Sequence, residues 1–163
     1  MGGTSGVVEA TEGRAARRSA GGERFAGARL VAEPVFLMNR LGSLGSAIAN
    51  QRLREHGLKV RQYSLLSLVC EPQAPTQREI SEFLVLDPSQ VVALVDELEG
   101  RGLLRREPDP RDRRSKILVP TDDGRALLER AEADVDVATD ELLTGMEPAQ
   151  RAQLQELLAS ISV

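Results

Sequence analysis

The chain has 163 residues and a net charge of −4; with its 14 glycines counted beside the apolar residues, about half of it suits a globular interior, enough for one domain. Three Phe, one Tyr, no Trp, one Cys and one His leave no aromatic platform for single-stranded nucleic acid, no internal disulfide framework, and no CxxC or HExxH metal site. No run of 18 apolar residues occurs and no apolar stretch follows Arg17-Arg18, so neither a membrane span nor a signal peptide is expected, and a cytoplasmic protein is.

Residues 1–30 hold half of the glycines, show no sustained periodicity and read mostly as a disordered arm, with a short extra helix over Gly22 to Leu30 as the alternative for its last part. Residues 31–57 follow as one element. Phe36, Leu37, Leu41, Leu44, Ile48 and Leu53 fall near helical spacing between Pro34 and His56, and Gly57 stands where a helix ends. Val60 to Cys70 reads as a short buried helix stopped by Glu71-Pro72.

The signals then sharpen. Thr76-Gln77-Arg78-Glu79 is a capping box, opening a helix to about Leu84. Asp87-Pro88-Ser89-Gln90 places Asp at the N-cap, Pro at the first helical position and Gln at the third, opening a second helix that stops at Gly102. Two short helices with a tight turn predict a helix-turn-helix. Leu103–Glu107 and Lys116–Val119 read as strands, joined into a hairpin by a basic loop. Thr121 caps a long helix carrying Ala126, Leu127, Ala131, Val135, Ala138 and Leu142, closed by Gly145. Pro148 opens a last helix with Leu154, Leu157, Leu158 and Ile161 on one face.

The net charge conceals a strong asymmetry. Residues 101–116 carry seven basic and three acidic side chains, whereas residues 117–163 carry three and ten. Such local imbalance says more about partners than the total does. On a wheel of the 87–101 helix, Val91, Leu94, Val95 and Leu98 face a core. Ser89, Gln90, Val92 and Ala93 lie on the outer side near its N-terminus. They suit either a plain solvated face or a helix entering a major groove, where Ser and Gln meet base edges and Val or Ala meets a thymine methyl. Arg111, Arg113 and Arg114 at the hairpin tip favour the second reading, because a wing there reaches the neighbouring minor groove.

Several stretches carry a resemblance. They are Gln77–Ser81, Leu94–Arg106, the wing Asp109-Pro110-Arg111-Asp112-Arg113-Arg114-Ser115-Lys116, and the exit Val119-Pro120-Thr121-Asp122-Asp123-Gly124. Over about residues 61–125 the chain resembles the MarR family of bacterial winged-helix regulators; Pro120 departs from the Leu usual there. The resemblance implies a mainly α fold with a small β-hairpin wing: a dimerisation helix at 31–57, a winged helix-turn-helix DNA-binding domain at 58–120, and C-terminal dimerisation helices at 121–163. It also implies a homodimer on an inverted repeat in double-stranded DNA, with effector- or redox-controlled release. The residues support that dimer on their own account, since the terminal helices are amphipathic and a second copy would bury their apolar faces.

The candidate DNA-binding residues are Arg78, Pro88, Ser89, Gln90, Val92, Ala93, Arg111, Arg113 and Arg114, with Arg78 a phosphate contact or simply solvated. In the family a wing Asp and a following Arg make structural pairs. Asp112, Arg114 and Asp96 are candidates for that brace, leaving Arg111 or Arg113 for the minor groove. Relatives bind small aromatic or phenolic effectors, and the matching positions fall around Asn39, Arg40, Arg61 and Tyr63 without forming a signature. Cys70 is expected to pack as a small hydrophobe rather than to sense oxidants, and His56 to cap a helix end rather than to ligate metal. No cofactor or metal site is expected. An enzyme is disfavoured by the lack of a GxSxG elbow or a Cys/His pairing. A winged-helix protein-interaction module without DNA binding remains the alternative.

Overall fold

A computed structural model describes residues 24–112 and 114–162; the expectations placed on residues 1–23 and on Arg113 lie outside the described residues. The described chain falls into two compact units that divide after Ser43. In the first, Arg24 and Phe25 are helical and a 3-10 turn follows at Arg29–Ala32. Helix α1 (Pro34–Leu53) starts in this unit and continues into the second.

In the second unit, α1 gives way to a 3-10 turn, Arg54–His56, closed by Gly57 at φ 63°. Then come α2 (Val60–Val69), α3 (Gln77–Leu84), α4 (Pro88–Gly100), β1 (Leu104–Pro108), β2 (Lys116–Pro120), α5 (Asp122–Leu142) and α6 (Pro148–Ser162). The order α2-α3-α4-β1-β2 is a winged helix-turn-helix, as the sequence pattern predicts.

Local chemistry sets the helix starts. Thr76 Oγ1 accepts from the Glu79 amide at 3.2 Å, and the Glu79 carboxylate accepts from the Thr76 amide at 2.7 Å, completing the expected box. Asp87 caps α4 by accepting from the Ser89 amide at 2.8 Å. The same carboxylate accepts the Ser89 hydroxyl at 2.5 Å. Thr121 accepts from the Gly124 amide at 3.0 Å and donates its hydroxyl to the Gly102 carbonyl at 2.6 Å, so one residue starts α5 and ties it to the end of α4.

The strands pair antiparallel, Leu104 opposite Pro120 and Pro108 opposite Lys116. Both prolines sit at the ends of the ladder, where their missing amide costs least. The segment before α3 adds to the sheet: the Leu118 amide donates to the Pro75 carbonyl at 2.8 Å, and Thr76 bridges Ile117. One core lies beneath. It joins Leu65, Leu66 and Val69 of α2, Ile80 of α3, Val91, Val95 and Leu98 of α4, and Leu104 and Leu118 of the hairpin. Each such side chain contributes about 1.5–3 kcal/mol by leaving water. Leu127, Leu128 and Ala131 of α5 complete the same core. The first half of α5 therefore belongs with the winged helix in its packing, and residue 121 is not a packing boundary. Ala126, expected on the apolar face, is exposed.

Candidate nucleic-acid interface

Helix α4 divides as its wheel predicts. Val91, Val95 and Leu98 are fully buried, Leu94 packs partly against the core, and Pro88, Ser89, Gln90, Val92 and Ala93 are exposed. Ser89 is nevertheless not available as a free hydroxyl. It donates to Asp87 Oδ1 at 2.5 Å. That hydroxyl, with the Ser89 amide, holds the Asp87 carboxyl below the usual carboxylate range. The Ser89 hydroxyl thus spends its proton on Asp87 and keeps its lone pairs as acceptors, while Gln90 stands exposed beside it. Arg78 is exposed on α3 and pairs with Glu82 at 2.8 Å. An exposed pair of this kind is weak, and the guanidinium can exchange it for a phosphate.

The brace of α4 comes from a residue that sequence reasoning missed. Arg106 of β1 donates to Asp96, to Glu99 and, at 3.1 Å, to Gln77 Oε1. Its amide also donates to Glu99 at 2.9 Å. The side chain is 18% exposed, so one guanidinium joins the start of α3, the far half of α4 and the wing. Asp96 was rightly among the brace candidates, but its cation is Arg106 and not Arg114. Asp112 instead accepts from the Arg114 amide at 2.9 Å, a local turn of the wing, and the Arg114 side chain is exposed. A signal existed. Alternate residues of a strand share a face, so Arg106 points the same way as the buried Leu104 and needs acidic partners there.

In the wing, Asp109 is 5% exposed. It accepts from the Arg111 amide at 2.8 Å, from Nε at 3.1 Å and from Nη2 at 3.0 Å. The Arg111 guanidinium, helped by its amide, keeps the Asp109 carboxyl below its usual range. Arg111 still presents 66% of its side chain to solvent, so it is a positioned cation rather than a freely rotating one. Between the two arginines left open for the groove, Arg111 is the one seen to be held; Arg113 lies outside the described residues.

The remaining candidates separate. His56 ends the 3-10 turn, where its Nε2 meets Asp134 Oδ2 of α5 at 2.6 Å, while its carbonyl accepts from Arg101 at 3.3 Å. Cys70 ends α2 half-buried against the core, and burial pushes its thiol up, which suits a packing role. Asn39 and Arg40 are exposed in the first unit. In the second, Arg61 is exposed and Tyr63 packs against the core, its phenol pushed up by burial and further by Glu132 and Asp136. Among the described residues no helix is long and apolar enough to cross a membrane.

A family model described as MarR family matches residues 56–115. A solved MarR-family transcriptional regulator from Rhodococcus sp. RHA1 is 39% identical, with a TM-score of 0.79 over 83% of this chain and 96% of its own. CouR from Rhodococcus jostii RHA1, solved with p-coumaroyl-CoA, is 39% identical with a TM-score of 0.75 and the same coverage. The transcriptional repressor CouR has also been solved on a 23-mer DNA duplex, in a structure 32% identical with a TM-score of 0.75 over 83% of this chain and 96% of its own. The uncharacterised HTH-type transcriptional regulator YkoM of Bacillus subtilis (strain 168) is 28% identical over 110 residues, 68% of this chain and 71% of its own.

Proposed function

Because this chain belongs to the MarR family of winged-helix transcriptional regulators, we propose that it binds an inverted-repeat operator in duplex DNA as a homodimer, acting as a repressor that a small aromatic or phenolic effector releases. The observation that carries the DNA reading is the pairing of two surfaces: the exposed N-terminal face of α4, with Gln90, Val92 and Ala93, and a wing whose Arg111 is held by buried Asp109. The first matches a major groove and the second the adjacent minor groove or its phosphates. CouR on its duplex supports the same reading.

The dimer is supported by Leu157 and Ile161 of α6, 59% and 72% exposed in the single chain. An apolar helix face left in water favours a second copy, and a two-fold dimer matches a palindrome. The effector is supported by p-coumaroyl-CoA, a phenolic acyl thioester, on CouR. In this reading DNA contacts come from Arg78, Pro88, Ser89, Gln90, Val92, Ala93, Arg111, Arg113 and Arg114, with Ser89 acting through its acceptor lone pairs, and the protein works in the cytoplasm.

A mobility shift on the promoter DNA beside its own gene, followed by mapping of the protected bases, tests the proposal. Protection of two half-sites about one helical turn apart is expected. No shift at moderate salt leaves the protein-interaction module in its place. Gln90→Ala refines the test, because a Gln–adenine pair is worth about 1–3 kcal/mol of discrimination. The operator-to-random affinity ratio should fall while the melting temperature stays; the reverse pattern assigns Gln90 to helix stability.

A further inference from the structure

Once the internal bonds of α4 are accounted for, little of it remains to discriminate bases. Residues 88–100 contain no Lys or Arg, so the helix lacks the fork that pairs with guanine O6 and N7. The Ser89 hydroxyl proton is given to Asp87, which leaves that oxygen an acceptor only. Asp96 and Glu99 are occupied by Arg106. Glu97 lines a cleft, together with Arg54 and Lys59, against the turn between α1 and α2, away from the N-terminal face. Beside the Ser89 oxygen as an acceptor, what the first two turns offer is the Gln90 amide and an apolar step made by Ala93 and by Val92, 43% of which is exposed.

In the major groove the C5 methyl of thymine is the one apolar group that distinguishes a natural base pair. We infer that Val92, with Ala93 beside it, reads thymine C5 methyl groups, so that A·T pairs rather than guanines carry the specificity beneath α4. This inference rests on the DNA-binding reading above and names the chemical feature that the site selects. A methyl moved from water onto an apolar side chain changes affinity by roughly 3–5-fold, enough to matter when several are read in two half-sites. Cytosine and uracil offer the same step no methyl to pack against.

The full-length protein is used to select an operator from a randomised duplex library, and each thymine of that operator is then replaced singly by deoxyuridine. The exchange removes the methyl and keeps the base pair. The expected result is an affinity loss of about 3–5-fold at one or more positions in each half-site. That loss should shrink towards onefold in Val92→Ala, whose melting temperature should match the wild type because the side chain is exposed. Equal affinity for every deoxyuridine duplex overturns the inference, and so does a penalty of unchanged size in Val92→Ala. Selection that yields no preferred duplex overturns the DNA-binding reading itself, and the inference with it.

Discussion

Gly124, in the first turn of α5, lies so close to Leu103 that a β-carbon built on it would stand 1.9 Å from the Leu103 carbonyl oxygen. That oxygen also accepts from the Thr121 amide at 3.1 Å. The contact docks α5 onto the entry to the wing, and backbone on both sides leaves nothing to yield. Gly124→Ala should cost about 3 kcal/mol or more, at the upper end of overpacking. Chemical denaturation measures it; a loss under about 1 kcal/mol would mean that α5 can shift away freely.

Arg106 offers a second test. Arg106→Ala leaves Asp96 and Glu99 on one face of α4 without their shared cation. The expected cost is about 1–2 kcal/mol, kept low because Asp96 is well solvated. Arg106→Lys should recover less than half of it, since an ammonium cannot reach three acceptors as a planar fork does. Equal denaturation midpoints for Arg106→Lys and the wild type would reduce the brace to a simple charge.

Val85 ends α3 at φ 51°, the one non-glycine described residue with positive φ. It is 88% exposed, so its side chain gains little in return. A β-branched residue in the left-handed region is strained, and glycine removes the clash at some entropic cost. Val85→Gly should raise stability by roughly 1 kcal/mol. Val85→Ala serves as the control, because it keeps a β-carbon and so most of the penalty. A destabilised Val85→Gly variant would show that the turn relies on stiffness more than it suffers from strain.

Acid should loosen the reading head. Glu79 is held below the usual range by the amide and hydroxyl of Thr76, Asp87 by the hydroxyl and amide of Ser89, and Asp109 by Arg111. All three bind protons less readily folded than unfolded. Their stabilisation is present above the ordinary carboxylate range near 4 and is lost as pH falls below it through the depressed folded values. Melting temperature should hold from pH 7 to about 5 and fall towards pH 3, less steeply in Asp87→Asn. A flat profile down to pH 3 contradicts the assignment.

Arg111→Ala should weaken binding to operator and random duplex alike and lower the slope of log K against log salt by up to about one unit. The fold should survive, since the side chain is mostly exposed. Asp109→Ala should weaken binding too, by freeing Arg111 to move. An unchanged slope in Arg111→Ala would take this arginine out of the DNA interface.

What the sequence determined by itself was whatever depends on neighbours within a few residues. Thr76 with Glu79, Asp87 with Pro88, Thr121 and Gly102 announce the helix ends because a cap is a contact over two to four positions. The 3.6-residue period of Val91, Leu94, Val95 and Leu98 likewise fixes which side of α4 is buried before any partner is known. Tertiary structure decided the rest. Which arginine braces α4 depended on β1 passing beside it, bringing Arg106 to Gln77 across 29 positions. The His56–Asp134 contact joins residues 78 apart, and the place of α5 rested on Gly124 fitting beneath Leu103. Even the Ser89 hydroxyl, whose partner Asp87 is two residues away, is aimed by its rotamer, which sequence spacing alone does not set. Caps and periodicity are local free-energy preferences legible one turn at a time; charge pairing depends on distance in space, which only the folded chain defines.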